Sequence, residues 1–382
     1  MRIVVNALSA RIGGGRTYLR HLFAHLPQHE GLDVLVFAPP GLDLPAHPCV
    51  RLGVPSWSSA NPILRTLWER LVLPGILRRE RADMLFCPGG VVATPVPAGC
   101  RVVTMFRNMM PFDAELMARM PWSLQRVRNL MLRRAMLRSM SGSDLTIFIS
   151  EHARAVIESQ ARVAKAVTIP HGISDAFRTH GKPLPRPGAA PQGDYLLYVS
   201  RFDIYKHHIE LVRAYASLSL GVRQRHPLLL LGETDFPDAR RVARLIGELG
   251  LAGQVLMPGA VLYTELPAYY QHAHAVVFAS SCENCPNILL EALGAGRPIL
   301  CSNAAPMPEF GGDAVEYFSP FDAQDIRRAL TLVLSDAPRA LRLAEAAAAR
   351  SYHYDWAATA RYTWEQILRL RPAATEKGVS AG

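Results

Sequence analysis

Long apolar runs are missing from this sequence. No window approaches the ~18 consecutive apolar residues that a membrane-spanning helix requires. The opening residues, MRIVVNALSA, form too short a run for a secretory signal peptide and favour a first core strand in a cytoplasmic protein. Charge is also scarce, since charged residues make up 19% and hydrophobic residues 49% of the 382 positions. This balance excludes a disordered chain and predicts two or three domains with large cores.

Metal-binding patterns are equally sparse. The six cysteines are scattered, and Cys282 and Cys285 form the single C-x-x-C. A zinc or redox site needs a second pair or a matching fold, so free thiols are the favoured interpretation. The neighbouring histidines His207 and His208 have no evident third ligand. The sequence therefore predicts no metal and no cofactor.

The excess of positive charge is confined to the first half of the chain. Residues 1–180 hold 22 Lys and Arg against 12 Asp and Glu, whereas residues 181–382 hold 20 of each kind. A one-sided basic surface indicates an acidic partner: phosphates, nucleic acid or an anionic membrane. Nucleic acid is disfavoured, because neither aromatic stacking platforms nor a known binding module is evident.

The sequence does contain a repeated alternation of short apolar runs and helical patterns. Unbroken apolar runs between helices are typical of parallel sheets covered on both faces. The sequence therefore predicts an α/β fold with two Rossmann-like, doubly wound halves that face a cleft. The predicted strands are 2–8, 32–40, 82–88, 101–106 and 144–150, then 195–200, 227–233, 254–259, 275–280, 298–302 and 314–318.

A break rich in Pro and Gly, RTHGKPLPRPGAAPQGD, separates the two halves. Ligands of open α/β sheets bind beyond the carboxyl ends of the strands, so the loops there are the first candidates for a site. The predicted organisation is a first domain at 1–177, a linker at 178–194, a second domain at 195–353, an amphipathic helix at 354–371 that crosses back to the first domain, and a disordered tail at 372–382.

A candidate phosphate site follows strand 275–280, in the stretch ENCPNILLE. Asn284 or Cys285 is expected to cap a helix whose first residue is Pro286, because the missing N–H of proline would be unpaired there anyway. The N–H groups of Asn287 and Ile288 then point out of the helix start and favour an anion.

Two acids lie on either side of this helix start. Glu283 is in the loop before the helix, and Glu291 is one to two turns inside it. Carboxylates suit sugar hydroxyls, since each carboxylate can accept several hydrogen bonds. An ordinary strand–helix unit with exposed acids explains the spacing equally well.

Two cations follow the first strand of the second half. Arg201 ends that strand in YVSRFDIYKHH, and Lys206 follows five residues later. Both are expected at the carboxyl edge of the sheet, where two cations match a diphosphate. A solvated basic loop is the alternative, and it is weakened by a helix start that favours the same anion.

Three glycines at 13–15 join the first strand to the first helix. They let the backbone pass close to a ligand, which makes Gly14 and Gly15 candidate ligand-binding residues. The dinucleotide fingerprint G-x-G-x-x-G is absent.

Two basic, apolar helical stretches lie in the first half, at 63–81 and 122–140, and the first of them is expected to break at Pro74. Basic amphipathic helices rich in Leu, Met and Trp bind anionic membrane surfaces. A core helix with a solvated basic face is the alternative. The arginines of the second stretch are Arg126, Arg128, Arg133, Arg134 and Arg138.

Taken in order, these motifs resemble those of glycosyltransferase family 4, whose members have the GT-B fold. Glu283 and Glu291 match the E-x7-E of the family, and Ser200, Arg201 and Lys206 match its strand–Ser–Arg–Lys stretch. Further stretches that resemble the family are SDLTIFISEHAR (143–154), TIPHGISDAF (168–177) and NAAPMPEFGGDAVEYFSPFD (303–322).

The resemblance implies a role for each of these residues. Arg201 and Lys206 would neutralise the diphosphate of a nucleotide sugar, the donor of the transferred sugar. The N–H groups of the helix start would bind its phosphates, and the glycine turn would contact the same donor molecule. Glu291 would bind the ribose and Glu283 the transferred sugar. The second domain would hold the nucleotide and the first the acceptor. Members of the family retain the anomeric configuration without a catalytic metal, and no D-x-D metal motif is evident here.

One position departs from the family pattern. After the strand at 101–106, many members carry a His-Asp pair that reaches the transferred sugar, whereas this chain has Phe106, Arg107 and Asn108. Arg107 or Asn108 is expected to replace that contact, or the pocket serves a different sugar. A structural arginine on a loop is the alternative.

The resemblance therefore indicates a retaining, metal-independent glycosyltransferase that moves a hexose from a nucleotide sugar to a lipid-linked saccharide. Its product would be a bacterial surface polysaccharide such as O-antigen, lipopolysaccharide or capsule. The protein would lie peripherally at the inner face of the cytoplasmic membrane. The alternatives are a sugar-nucleotide epimerase of the same fold and a non-catalytic sugar-nucleotide-binding protein.

Overall fold

The computed structural model describes residues 1–11, 13–53, 61–178 and 183–370. The predicted tail at 372–382, and part of the predicted linker, lie outside these residues. The chain divides into two compact units. Unit 1 comprises Met1–His171 and Trp356–Gly382, and unit 2 comprises Gly172–Asp355.

Unit 1 is built on a parallel sheet whose described strands have the order β3-β2-β1-β4-β5-β6-β7. The strands are β1 (Arg2–Asn6), β2 (Asp33–Phe37), β3 (Val50–Gly53), β4 (Met84–Cys87), β5 (Arg101–Phe106), β6 (Leu145–Phe148) and β7 (Ala166–Thr168). The helices are α1 (Gly14–Ala24), α2 (Pro62–Leu71), α3 (Leu73–Arg79), α4 (Ala114–Arg119), α5 (Leu124–Ser141) and α6 (Glu151–Glu158).

The apolar runs of unit 1 become buried strands because helices cover both faces of the sheet. Every residue of β4 and β6 is buried. The edge strands β3 and β7 were not predicted, since their half-exposed residues give no apolar run. The helical stretch at 63–81 was expected to break at Pro74. It breaks at Val72 instead, because proline is tolerated in the first turn of α3.

Unit 2 repeats the plan, with the order β10-β9-β8-β11-β12-β13 among its described strands. The strands are β8 (Leu196–Val199), β9 (Leu228–Leu231), β10 (Val255–Gly259), β11 (Ala275–Phe278), β12 (Ile299–Ser302) and β13 (Glu316–Phe318). The helices are α7 (His208–Ala216), α8 (Leu220–Arg225), α9 (Pro237–Glu248), α10 (Leu266–His272), α11 (Asn287–Ala295), α12 (Met307–Gly311), α13 (Ala323–Ser335) and α14 (Ala337–Ser351).

The last helix, α15 (Trp356–Leu368), follows unit 2 in the chain but packs on α1 of unit 1. Trp364 is fully buried there, its Nε1 donates to the carbonyl of Leu22 over 2.9 Å, and its ring meets Phe23 edge-on. The α/β fold with two parallel sheets is thus confirmed, as is the return of the last helix to the first half. Across the described ranges, no helix is both long and apolar enough to cross a bilayer.

Candidate functional site

The candidate site of unit 2 lies where its sheet reverses its winding. β8 pairs with β9 on one side and with β11 on the other, so the strand order switches between β8 and β11. Open α/β sheets bind ligands outside the carboxyl ends of the strands at such a point. The loops after these two strands carry Arg201, Lys206 and Glu283, and α11 begins directly after the second loop. The structure therefore brings these residues to one edge of one sheet.

Lys206 and Glu283 form a largely buried ion pair. The ammonium of Lys206 donates a hydrogen bond to Glu283 Oε1, and the two side chains are 7% and 17% exposed. The Tyr198 hydroxyl donates to the Lys206 carbonyl over 2.8 Å and fixes the loop from within the unit. Separate roles were predicted for these two residues, whereas the structure joins them in one ion pair. The ammonium retains two further N–H donors for a ligand.

Arg201 is held beside this pair and remains accessible. Its Nη2 donates to the Tyr205 hydroxyl over 2.8 Å and lies 3.4 Å from the carboxylate of Asp203. Its guanidinium also lies over the ring of Phe236, 5.6 Å from the ring centre. Tyr205 and Asp203 were not predicted as site residues, although both lie between Arg201 and Lys206 in the chain. Their positions within that run are the signal that could have identified them.

The start of α11 differs from the prediction. The helix begins at Asn287, and Pro286 is its N-cap, because the proline ψ of 80° is not helical. Asn284 and Cys285, the residues predicted to cap the helix, are buried and precede the observed cap. The N–H of Asn287, expected to be open to an anion, donates to the Cys285 carbonyl over 2.9 Å. The helix start thus offers the N–H of Ile288, which helix geometry leaves without an intrahelical acceptor.

Glu291 lies on α11 with only 9% of its surface exposed. It accepts a hydrogen bond from the Tyr263 hydroxyl over 3.0 Å. Burial raises the pKa of Glu291 to about 8, and the hydrogen bond from Tyr263 acts in the opposite direction. The expected carboxylate is therefore mostly a neutral acid at pH 7, able to donate one hydrogen bond as well as accept others. Tyr263 lies in a loop with no recognisable motif, which is why the sequence did not reveal it.

Unit 1 brings together two residues that were predicted separately, at the carboxyl edge of its own sheet. Gly13 has a φ of +62°, which favours glycine, and α1 begins at Gly14. A Cβ on Gly15 would lie 3.4 Å from Nη1 of Arg107, so the arginine packs directly on the glycine turn. The Arg107 guanidinium also lies 5.3 Å from the centre of the buried Tyr18 ring.

Asn108 has a local structural contact. Its Oδ1 accepts a hydrogen bond from the backbone N–H of Met110 over 3.2 Å, which shapes the loop after β5. Of the two residues that stand in place of the His-Asp pair, Arg107 is therefore the stronger candidate for a ligand contact.

The five arginines of α5 fall into two groups. Arg126 donates to the Met120 carbonyl and lies over the Trp122 ring, and Arg133 donates to Gln160. The remaining three, Arg128, Arg134 and Arg138, are exposed.

The exposed arginines adjoin apolar side chains that are also exposed, Leu124 at 90% being the extreme. Burial lowers the pKa of Arg65 on α2, and the charge of Arg128 on α5 acts in the same direction, so Arg128 lies within electrostatic range of Arg65. We refer to nine exposed residues of these helices as the basic–apolar surface: Ile63, Leu67, Leu71, Leu124, Val127, Arg128, Met131, Arg134 and Arg138.

Two doubly wound parallel sheets, with cations and acids at the carboxyl edge of the second, are typical of the GT-B class of glycosyltransferases. The family model for Glycosyltransferase Family 4 matches residues 12–177, and the model for Glycosyl transferases group 1 matches residues 185–350. Together the two models span most of the chain. The chain belongs to glycosyltransferase family 4, among the group 1 glycosyl transferases, as its motifs predicted.

Known proteins similar to the chain include two from Escherichia coli. The serotype-specific mannosyltransferase WbdA is 30% identical over 184 residues, which are 48% of this chain and 23% of WbdA. The O-antigen chain mannosyltransferase B is 31% identical over 142 residues, 37% of each chain. The chain thus aligns with well under half the length of these curated relatives.

Among solved structures, WaaG, a glycosyltransferase involved in lipopolysaccharide biosynthesis, matches with a TM-score of 0.74 at 17% identity. The match covers 96% of this chain and 99% of WaaG, and it supports the GT-B fold.

Proposed function

We propose that the chain transfers a sugar, with mannose the first candidate, from a nucleotide sugar to a lipid-linked saccharide in the assembly of a bacterial surface polysaccharide. The observation that carries this proposal is the convergence of the Lys206–Glu283 pair, Arg201 and the start of α11 at one switch point of unit 2. Mannose and O-antigen follow the names of the two E. coli relatives, and lipopolysaccharide follows that of WaaG.

The donor fits unit 2 group by group. The accessible guanidinium of Arg201 and the two remaining N–H donors of Lys206 suit a diphosphate. The backbone N–H of Ile288 donates a further hydrogen bond to the same diphosphate. Glu291 and Tyr263 together supply donors and acceptors for the ribose hydroxyls. Glu283 accepts hydrogen bonds from the transferred sugar while Lys206 keeps its carboxylate in position.

The transfer exchanges one bond at the anomeric carbon for another. The bond from this carbon to the diphosphate oxygen breaks, and the acceptor oxygen bonds to the same carbon from the same face. The acceptor proton passes to the leaving phosphate. Lys206 and Arg201 stabilise the negative charge that develops on the diphosphate, and their preorganised positions remove the need for a metal in this role. Attack from the same face retains the anomeric configuration.

We assign the acceptor to unit 1. The basic–apolar surface of this unit suits binding to the anionic inner face of the cytoplasmic membrane. Leu124, Val127 and Met131 follow one another at intervals of three and four residues, so they form a single stripe on α5. Such side chains insert at the boundary between lipid headgroups and acyl chains. Each nearby arginine adds about 1 kcal/mol of binding free energy through its attraction to the lipid phosphates. A lipid-linked saccharide would then reach the protein from the same membrane.

The donor assignment is tested with the purified chain and a panel of GDP, UDP and dTDP sugars. A nucleotide that binds the native state raises the melting temperature, and the best donor is then incubated with a polyprenyl-diphosphate saccharide. We expect GDP-mannose to give a mannosylated product and Lys206→Ala to remove it. Conversion of the donor without an acceptor would indicate an epimerase, and donor binding without any product would indicate a binding protein. Either result would refute sugar transfer.

The membrane assignment is tested by flotation with vesicles of phosphatidylglycerol and, separately, of phosphatidylcholine. At low salt we expect flotation with the anionic vesicles only, and loss of flotation in the Leu124→Ser, Val127→Ser, Met131→Ser triple variant. Leu341→Ser, at an exposed leucine on α14 of unit 2, is the control and should float normally. If the wild type stays unbound at low salt, the membrane assignment is wrong.

A further inference from the structure

Three potential metal ligands meet at the other edge of the unit 2 sheet. Asp194, His226 and His274 precede β8, β9 and β11, and β8 lies between the other two strands. One ligand atom from each residue lies within 4.8 Å of the others. The cluster is thus at the amino ends of the strands that carry the proposed donor site at their carboxyl ends. It is separate from that site.

One distance within the cluster matches that between two ligands of a zinc ion. His274 Nδ1 lies 3.4 Å from Asp194 Oδ2, which is long for a charge-assisted hydrogen bond. Two ligand atoms held tetrahedrally at about 2.0–2.1 Å from one zinc ion are roughly 3.3–3.4 Å apart. The rings of His226 and His274 have centroids 4.5 Å apart and are inclined by 50°, so they converge without stacking.

A second observation concerns the buried member of the cluster. His226 is 8% exposed, and its Nδ1 has no hydrogen-bond partner within the described part of the chain. A buried polar atom without a partner costs free energy, and an imidazole nitrogen is satisfied equally well by a proton donor or a metal.

We propose that Asp194, His226 and His274 bind one Zn²⁺ ion, which links the amino ends of β8, β9 and β11. Two imidazoles and a carboxylate are zinc ligands, and water occupies the fourth position on the side of the exposed Asp194. The sequence predicted no metal because these ligands are far apart in the chain and belong to no short motif. The sheet register is what brings them together.

The test uses tag-free protein, because a histidine tag would itself bind zinc. The chain is dialysed against EDTA and titrated with ZnCl₂ by calorimetry, and its melting temperature is recorded with and without the ion. We expect one zinc per chain and a higher melting temperature. Asp194→Asn and His274→Gln, both on the open side of the site, should each weaken binding at least about tenfold, since even outer-shell changes cost this much.

The control is His353→Gln, which replaces an exposed histidine of unit 2 and should bind zinc like the wild type. The proposal is overturned if the wild type binds no zinc at micromolar concentration. It is equally overturned if His274→Gln and Asp194→Asn bind zinc as tightly as the wild type, since the ion would then be held elsewhere. Sugar transfer enters neither readout, so the result does not depend on the proposed function.

Discussion

Replacing Glu291 with Gln should stabilise the protein at alkaline pH and weaken its binding of nucleotide. Burial raises the pKa of Glu291 to about 8, from an ordinary value of 4.5. Between pH 4.5 and about pH 8, the folded state therefore binds one more proton than the unfolded state. The associated stability is present below about pH 4.5 and is lost as the pH rises through about 8. At about 1.4 kcal/mol per pKa unit, the loss is at most on the order of 5 kcal/mol.

Glutamine has nearly the same shape and does not ionise, so the variant does not suffer this loss. Its amide group leaves one donor to be satisfied, but that cost is the same at both ends of the pH range. Melting temperatures of wild type and variant are measured at pH 5 and pH 9, and the two differences are subtracted. At roughly 2–4 °C per kcal/mol for a unit of this size, the variant should gain on the order of 10 °C relative to the wild type.

The matched control is Glu345→Gln, at an exposed glutamate on α14, which should show no such gain. Calorimetry with the donor nucleotide should show that Glu291→Gln loses up to roughly tenfold in affinity, because one hydrogen bond contributes about 0.5–1.5 kcal/mol. If the melting temperatures of variant and wild type change equally between pH 5 and pH 9, the raised pKa of Glu291 is refuted. An unchanged nucleotide affinity would refute the ribose assignment.

Three further predictions concern other candidate site residues of the two units. A Cβ on Gly232 would lie 1.9 Å from the carbonyl oxygen of Ser200, just before Arg201. Gly232→Ala should therefore lower the free energy of unfolding by roughly 1–3 kcal/mol and raise the KM for the donor. An unchanged KM would contradict this. Glu283→Ala should lower kcat by about 100-fold with little effect on nucleotide Kd, and loss of nucleotide affinity alone would exclude its role at the transferred sugar. Arg107→Ala should lower turnover about tenfold or more whereas Asn108→Ala should not, and equal kinetics for both variants would refute the distinction.

Much of the fold was predictable because burial on both faces of a parallel sheet leaves a direct trace in the sequence. The apolar runs at β4, β6, β8 and β11 are wholly buried in the structure, as predicted. The edge strand β3 left no such trace, since its two middle residues are exposed and its hydrogen bonds come from backbone groups that any residue provides.

The candidate site was predictable in its membership but not in its couplings. Strand ends indicated where Lys206, Glu283 and Glu291 would lie, because the carboxyl ends of parallel strands share an edge. The ion pair between the first two depends on how two loops fold toward each other, and no local pattern records that. Tyr263 reaches Glu291 from a loop 28 residues away in the chain. The cap at Pro286 depends on a single backbone angle.

The position of α15 has a consequence for synthesis on the ribosome. Trp364 covers α1, yet the whole of unit 2 is translated between them. Trp364 follows Ala24, the last residue of α1, by 340 residues. At about 5–20 residues per second, roughly 20–70 s therefore pass before the covering helix emerges. During that interval the apolar side of α1 that receives Trp364 is open to solvent and to chaperones. The first unit to be started is thus the last to be finished, and a fragment ending before Trp356 would retain this exposed side permanently.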